Sequence, residues 1–311
     1  MSEDIKLCDK KKSLMLDLSL LLVALTWGGN FVVLKNALDD IGPLFLMAIR
    51  FTAAFIIMSI TFNKKLKIIS RKDIKAGTII GLFIFLAFTA QAYGLKYTTV
   101  SKQAFLVGTN VVIVPFLTWI IYKKNPGWEA LTGAVLSCIG IGLLTLQGYN
   151  FSINIGDVLS LGCAFFIAAS MVAINYFLSD SDPIVLAITQ LGAAALFFII
   201  ISFVCEPTPK NITTKVIFSL SYIVLLATVG AFLIQNVAQK YIPPTRTAII
   251  LCMESVFATL LAALILKEKM TVFMIIGCLL ILLSILISET KLSFLKRANK
   301  CSGDRAVDNR A

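Results

Sequence analysis

Long apolar stretches fill most of this 311-residue chain, and well inside them stand the carboxylate of Glu254, the guanidinium of Arg50 and a handful of amides. Polar groups in such surroundings are costly and ordinarily face a protein interior or a water-filled cavity, so each needs a role. Glu254 lies ten residues after Pro244. At ~1.5 Å per residue that is about 15 Å along a helix, close to the middle of a bilayer. Thr247 precedes it by seven residues, on the same helix face. A carboxylate at this depth can receive the amine of a cargo or carry a proton. It can also be structural, hydrogen-bonded between helices. Both readings stand at this point.

The amides fall into a related pattern. Gln103 and Asn110 are again seven residues apart, and Gln91 and Gln235 lie in two different runs, the second with Asn236 beside it. Buried amides must find partners, either at a cavity or as hydrogen-bonding glue between helices. Trp27 and Asn30 sit one helical turn apart, an aromatic face next to an amide, with Ser170 as the counterpart of Asn30 in a later run. Such a face suits an amphipathic small molecule, and plain packing through Gly28 and Gly29 is the alternative. Together these residues describe a binding site in which cargo stacks near Trp27. There it bonds Asn30, Gln91, Asn110, Ser170 and Gln235, with Glu254 receiving an amine or a proton. Arg50, seven residues past Pro43, could hold an anionic group, but the expected role is structural, snorkelling or bonded to carbonyls of a neighbouring helix.

The elements that must position these groups are ten hydrophobic runs, near 14–36, 43–62, 74–95, 98–121, 127–147, 155–178, 183–204, 216–240, 244–266 and 271–289. A spanning helix needs ~20 apolar residues. The composition agrees, at 58% hydrophobic and 14% charged, against ~25% charged in soluble domains. Proline opens several runs (Pro43, Pro183, Pro244), where a helix tolerates the missing N–H. Gly77 and Gly81, in GxxxG spacing, predict a helix-packing face. Asp17, Asp157 and Glu129 stand at helix starts, where carboxylates favour the dipole.

The net charge of +11 resembles a nucleic-acid signal, but its distribution is that of membrane topology. With ten spans and an internal N-terminus, twenty Lys and Arg fall on the inner side and seven on the outer, leaving Arg50 within a span. That asymmetry places both termini in the cytoplasm. The runs also repeat. At an offset of 140, Asp17, Asp40 and Pro43 meet Asp157, Asp180 and Pro183. At 144, Gln91, Lys96, Tyr97, Ala104, Lys123 and Gly133 meet Gln235, Lys240, Tyr241, Ala248, Lys267 and Gly277. Five spans per repeat is an odd number, so the second half must be inverted relative to the first, an arrangement that puts a ligand site near the midplane. The expected fold is therefore an all-α membrane protein of ten transmembrane helices in two inverted five-helix repeats. Its divisions are a cytoplasmic tail at 1–13, repeats at 14–148 and 149–290, and a cytoplasmic tail at 291–311, with both tails soluble and disordered.

Trp27-Gly28-Gly29-Asn30-Phe31, Lys35, Pro43 and Arg50-Phe51 resemble the "WGxNF…K…P…RF" opening of EamA-type transporters, within the drug/metabolite transporter superfamily. Pro244-Thr245-Arg246-Thr247-Ala248, Glu254 and Lys267-Glu268 are similar to the family's "PTRAA…E…L.E". The resemblance implies a central cavity lined mainly by helices 1, 3, 4, 6, 8 and 9 and alternating access. It does not imply a particular substrate: members of the family are associated with export or uptake of amino acids, other metabolites and drugs. Export of small metabolites such as amino acids or amphipathic amines is the expectation here. The chain departs from pseudo-symmetry at one point: the counterpart of Glu254 is Asn110, so the site's carboxylate comes from one half.

Other functions lack their residues. There is no histidine, no HExxH, no GxSxG and no P-loop, which argues against an intramembrane enzyme and against primary active transport. Seven scattered cysteines without a CxxC pair argue against zinc or a disulfide framework. A sensor or scaffold remains the other alternative to transport. No cofactor and no nucleic-acid partner are expected. The partners are a small-molecule substrate and the lipid bilayer, and the lysine-rich, compact chain points to a bacterial inner membrane.

Overall fold

The computed structural model describes residues 2–38, 40–98, 100–123, 127–145, 154–209, 214–265 and 271–290, and among them there is no strand. In chain order the helices are α1 (Ser2–Leu38), α2 (Pro43–Thr61), the short α3 (Asn63–Leu66), α4 (Arg71–Tyr97), α5 (Val100–Gly108), α6 (Asn110–Tyr122) and α7 (Trp128–Thr145). There follow α8 (Ile155–Phe177), α9 (Pro183–Cys205), α10 (Thr214–Val224), a π-helical segment at Leu225–Gly230, α11 (Ala231–Gln239), α12 (Pro244–Leu251), α13 (Met253–Ile265) and α14 (Val272–Thr290). Helix α1 runs back to Ser2, through the stretch expected as a disordered tail. The tail from Lys291, the junction of the two expected repeats at 148–149, and Lys267 and Lys269 lie outside the described residues.

Six helical stretches are long and apolar enough to cross a membrane: Pro43–Thr61, Arg71–Tyr97, Gln103–Tyr122, Ile155–Phe177, Pro183–Cys205 and Val216–Gln239. Leu14–Asn30, Trp128–Leu143 and Val272–Ile285 are shorter apolar helices. The run expected at 244–266 is two helices, α12 and α13, parted at Cys252.

Helix starts follow local chemistry. Pro43 and Pro183 occupy first-turn positions. Ser70 with Asp73, and Asn154 with Asp157, form reciprocal capping boxes that satisfy the orphan N–H groups of α4 and α8. Asp182 caps α9, its carboxylate accepting from Ile184 N (2.9 Å) and Val185 N (3.3 Å). Glu206, at the far end of α9, caps a different helix. It accepts from Leu44 N (3.1 Å) and Phe45 N (3.1 Å) at the start of α2 and from the Tyr93 hydroxyl (3.0 Å).

Lipid tails are as apolar as leucine, so close packing rather than expulsion from water must hold such helices together. Helix α4 lies against α8 and α9, α2 against α9, α7 against α14, α1 against α12 and α13, and α8 against α5 and α6. The expected glycine face is realised: Gly77 and Gly81 of α4 pack on Thr189 and Ala193 of α9, where any Cβ would collide. Phe51 stacks on Phe198 with centroids 5.2 Å apart and planes 8° from parallel, and both are fully buried. Polar pairs tie the helices together: Lys65 with Asp182 (2.7 Å), Ser181 with Asp73 (2.7 Å) and Thr98 with Asp157 (2.9 Å) at helix ends. Arg246 pairs with Asp17 (2.6 Å), which lies inside α1 and not at a helix start as expected, because α1 runs back to Ser2.

Candidate functional site

A cavity opens where α1, α2, α4, α5, α6, α8, α11, α12 and α13 converge, enclosing about 850 Å³ of empty space with its mouth included. All seven residues singled out as binding candidates line it: Trp27, Asn30, Gln91, Asn110, Ser170, Gln235 and Glu254. Gln103 and Thr247, from the same two sequence stripes, do not. Both are fully buried. Gln103 Nε2 donates to the Gln91 carbonyl (2.7 Å), which fastens α5 to α4, and the Thr247 hydroxyl donates to Pro243 O (3.2 Å). Asn236 likewise turns back on its own helix, Nδ2 donating to Phe232 O (2.8 Å).

Helix geometry explains why the candidates gather. Ile84, Ala87, Phe88 and Gln91 line the cavity from α4, at the i, i+3, i+4, i+7 spacing of one helix face. Close approach of α1 to α13 depends on Gly28, whose position faces Glu254 O and Ala258 N so tightly that an added Cβ would sit 2.9 Å from each. That contact brings the Trp27–Asn30 face beside Glu254.

Two helices break beside the cavity. Between α5 and α6, Thr109 carries a 3₁₀-type backbone, its N bonding Leu106 O (3.3 Å). Between α12 and α13, Cys252 N reaches both Ala248 O (3.1 Å) and Ile249 O (3.2 Å). The next residue after Thr109 is Asn110, and Glu254 is two past Cys252. Short 3₁₀ stretches inside a helix mark hinges. The π segment supplies a third irregularity. Its Ala227 carbonyl accepts from Trp27 Nε1 (3.0 Å) and Arg50 Nη2 (3.3 Å), and the Thr228 hydroxyl donates to Ile223 O (2.7 Å).

The site's electrostatics are spare. Glu254 keeps partial exposure through the cavity, and no donor among the described residues hydrogen-bonds its carboxylate. Asn30 Oδ1, Gln91 Oε1 and Gln235 Oε1 are buried and equally without a partner among them. Asn110 Nδ2 donates to Val107 O (2.8 Å) and the Ser170 hydroxyl to Ile167 O (2.8 Å). The amide nitrogens of Asn30, Gln91 and Gln235 hydrogen-bond nothing among the described residues either, so these side chains offer a ligand both donors and acceptors. Among the described residues no group of three His, Cys, Asp or Glu side chains comes close enough to hold a metal.

Arg50 makes the interhelical bonds expected of a structural arginine, with Nε donating to Thr228 Oγ1 (2.7 Å), yet it also belongs to the cavity wall. Its helix, α2, is not among those the family resemblance implies for the cavity. Phe88 and Phe232 were missed as well. Phe88 lies one turn from Gln91, and Phe232 one turn from Gln235, so extending each amide's helix face by three residues finds them.

The cavity is mostly apolar and carries a few polar side chains, and comparison with known proteins identifies the class of protein. The chain belongs to the EamA-like transporter family, whose model matches residues 14–146 and again 154–290. It is 36% identical over 277 residues to an "Uncharacterized transporter" of Archaeoglobus fulgidus, covering 89% of this chain and 86% of that one. It is 24% identical over 284 residues to a "Probable amino-acid metabolite efflux pump" of Escherichia coli, covering 86% and 92%. A solved crystal structure shares the fold at a TM-score of 0.75, with 14% identity, covering 92% of this chain and 99% of the other. The protein is thus a multi-pass membrane transporter of this family.

Proposed function

We propose that the protein is a secondary transporter that exports small amine-bearing metabolites, amino acids among them, by alternating access through this cavity. Cargo stacks against Trp27 and bonds Asn30, Gln91, Asn110, Ser170 and Gln235, and Glu254 receives its amine or exchanges it for a proton. The observation that carries the reading is the Glu254 carboxylate, which lines the cavity with no hydrogen-bond donor on it among the described residues. A relative named as an amino-acid metabolite efflux pump supports the cargo class. No reaction is assigned to the site.

The mechanism rests on ten crossing helices in two inverted repeats of five, rocking about the cavity with both termini in the cytoplasm of an inner-membrane protein. The helix pairing supports it. Exchanging each helix of one repeat with its counterpart turns the α4–α8 contact into the α1–α11 contact, and the α6–α8 contact into α1–α13. The α7–α14 and α2–α9 pairs map onto themselves. The breaks at Thr109 and Cys252 differ by 143 residues, one residue from the repeat offset, and they are the natural hinges.

The test is Glu254→Gln in proteoliposomes under an imposed pH gradient, with amino acids and amines as cargo. Glu254 holds no hydrogen bond among the described residues, so the variant is expected to keep its melting temperature. Transport should fall at least about tenfold, the scale of one lost charge-assisted contact. Wild-type flux with unchanged pH dependence in that variant overturns the role of Glu254.

A further inference from the structure

The cavity wall contains a second charged group. Arg50 is fully buried, and among the described residues no carboxylate pairs with it. Its Nε is spent on Thr228 Oγ1 and its Nη2 on Ala227 O, while Nη1 has no partner. The Phe88 ring covers the guanidinium, 4.6 Å from Cζ to the ring centroid, and Phe51 stands at 5.4 Å. A buried cation with an unspent donor nitrogen is expensive to keep. Structural anchoring of the π segment uses only Nε and Nη2, so it leaves the third nitrogen unexplained.

We propose that Arg50 is the carboxylate-binding residue of the cavity, so that the cargo is a zwitterion held at its acid end by Arg50 and at its ammonium end by Glu254. The proposal rests on the transport reading above and sharpens it from amines in general to amino acids. Arg50 has no exposed surface, so the cargo carboxylate reaches Nη1 by turning the Phe88 ring aside. Phe88 itself lines the cavity, and its rotation is the movement the proposal requires. The guanidinium is held in place by its two existing bonds, so little order is lost when the third forms. Each charge then neutralises its opposite on the cargo, which a simple amine or a simple acid cannot do at both ends.

The experiment measures ligand stabilisation of the detergent-purified full-length protein by the twenty standard amino acids. Every amino acid that stabilises is compared with its decarboxylated amine, its carboxamide and its deaminated acid. Wild type is expected to bind the zwitterion at least about tenfold more tightly than each analogue, the usual scale of a lost charge-assisted bond. In Arg50→Gln the preference over the amine should collapse to within about twofold, and Arg50→Lys should restore part of it. Equal binding of amine and amino acid by wild type overturns the assignment of Arg50 while leaving amine transport intact. So does full discrimination in an Arg50→Gln protein that melts like wild type. If no amino acid, amine or acid stabilises the protein or crosses proteoliposomes, the transport reading and this inference fall together.

Discussion

Trp27 contributes two separable things, an indole N–H bonded to Ala227 O at 3.0 Å and a ring set edge-on to Phe232 at 6.3 Å. Trp27→Phe keeps an aromatic face and removes the donor. It should cost about 1 kcal/mol, the net worth of one such bond, read as a lower melting temperature in detergent with transport largely preserved. Trp27→Ala removes the face as well, and transport should fall with stability. Polar residues of the site were legible in the sequence because an amide or carboxylate stands out in an apolar run. Phe88, Phe232 and Ile84 were not, since an apolar side chain in an apolar run looks the same on a lipid face and on a cavity wall. Arg50 was seen, but its depth alone could not tell a cavity neighbour from a structural anchor.

Among the helices, α9 shows how a start can be tested apart from the membrane. Burial works against the Asp182 carboxylate. The hydrogen bond from Lys65 and the N–H groups of Ile184 and Val185 outweigh it and hold its pKa below the usual carboxylate range. The ion pair with Lys65 is about one-third exposed on both sides (35% and 33%), so solvent screens its contribution to stability. A depressed native pKa contributes stability in full above the unfolded value of about 3.9, and loses it as pH falls through the native one. Asp182→Ala should therefore cost about 1 kcal/mol near neutral pH. Asp182→Asn keeps an acceptor and should cost less, and its melting temperature should converge with that of wild type only as pH falls from the unfolded value through the depressed native one. Thermal denaturation across pH checks both. Helix starts of this kind were readable from Pro, Asp and Asn at the right places. The breaks at Thr109 and Cys252 and the π segment were not, because hydropathy registers a run and is blind to a change from i+4 to i+3 or i+5 bonding inside it.

For the whole molecule, the proposed topology makes a prediction that does not depend on cargo. Residues 64 and 208 are separated by five of the proposed crossings and so face opposite sides. With the native cysteines replaced, Lys64→Cys should react with an impermeant thiol reagent only from the cytoplasmic side and Thr208→Cys only from outside. Labelling of both from one side would refute ten crossings. The twofold family match, at 14–146 and 154–290, falls within a few residues of the repeats read from the +140 and +144 offsets. The offsets were legible because a repeat in sequence needs only a few fixed positions to keep register. The cavity's existence was a different matter, since it depends on which faces meet across the two halves.

The π segment at Leu225–Gly230 sets the cavity's composition by a shift of phase. A turn widened by one residue rotates everything beyond it by about 100° relative to an unbroken α-helix. Phe232 and Gln235 both lie beyond it and owe their heading to that extra residue. Removing any one of those six residues would leave the hydropathy of the run almost untouched and every other side chain present. It would swing the ring and the amide off the wall together and withdraw the carbonyl that Trp27 and Arg50 share. At this point in the chain the number of residues matters more than their kind, so a single-residue deletion here is more damaging than most substitutions.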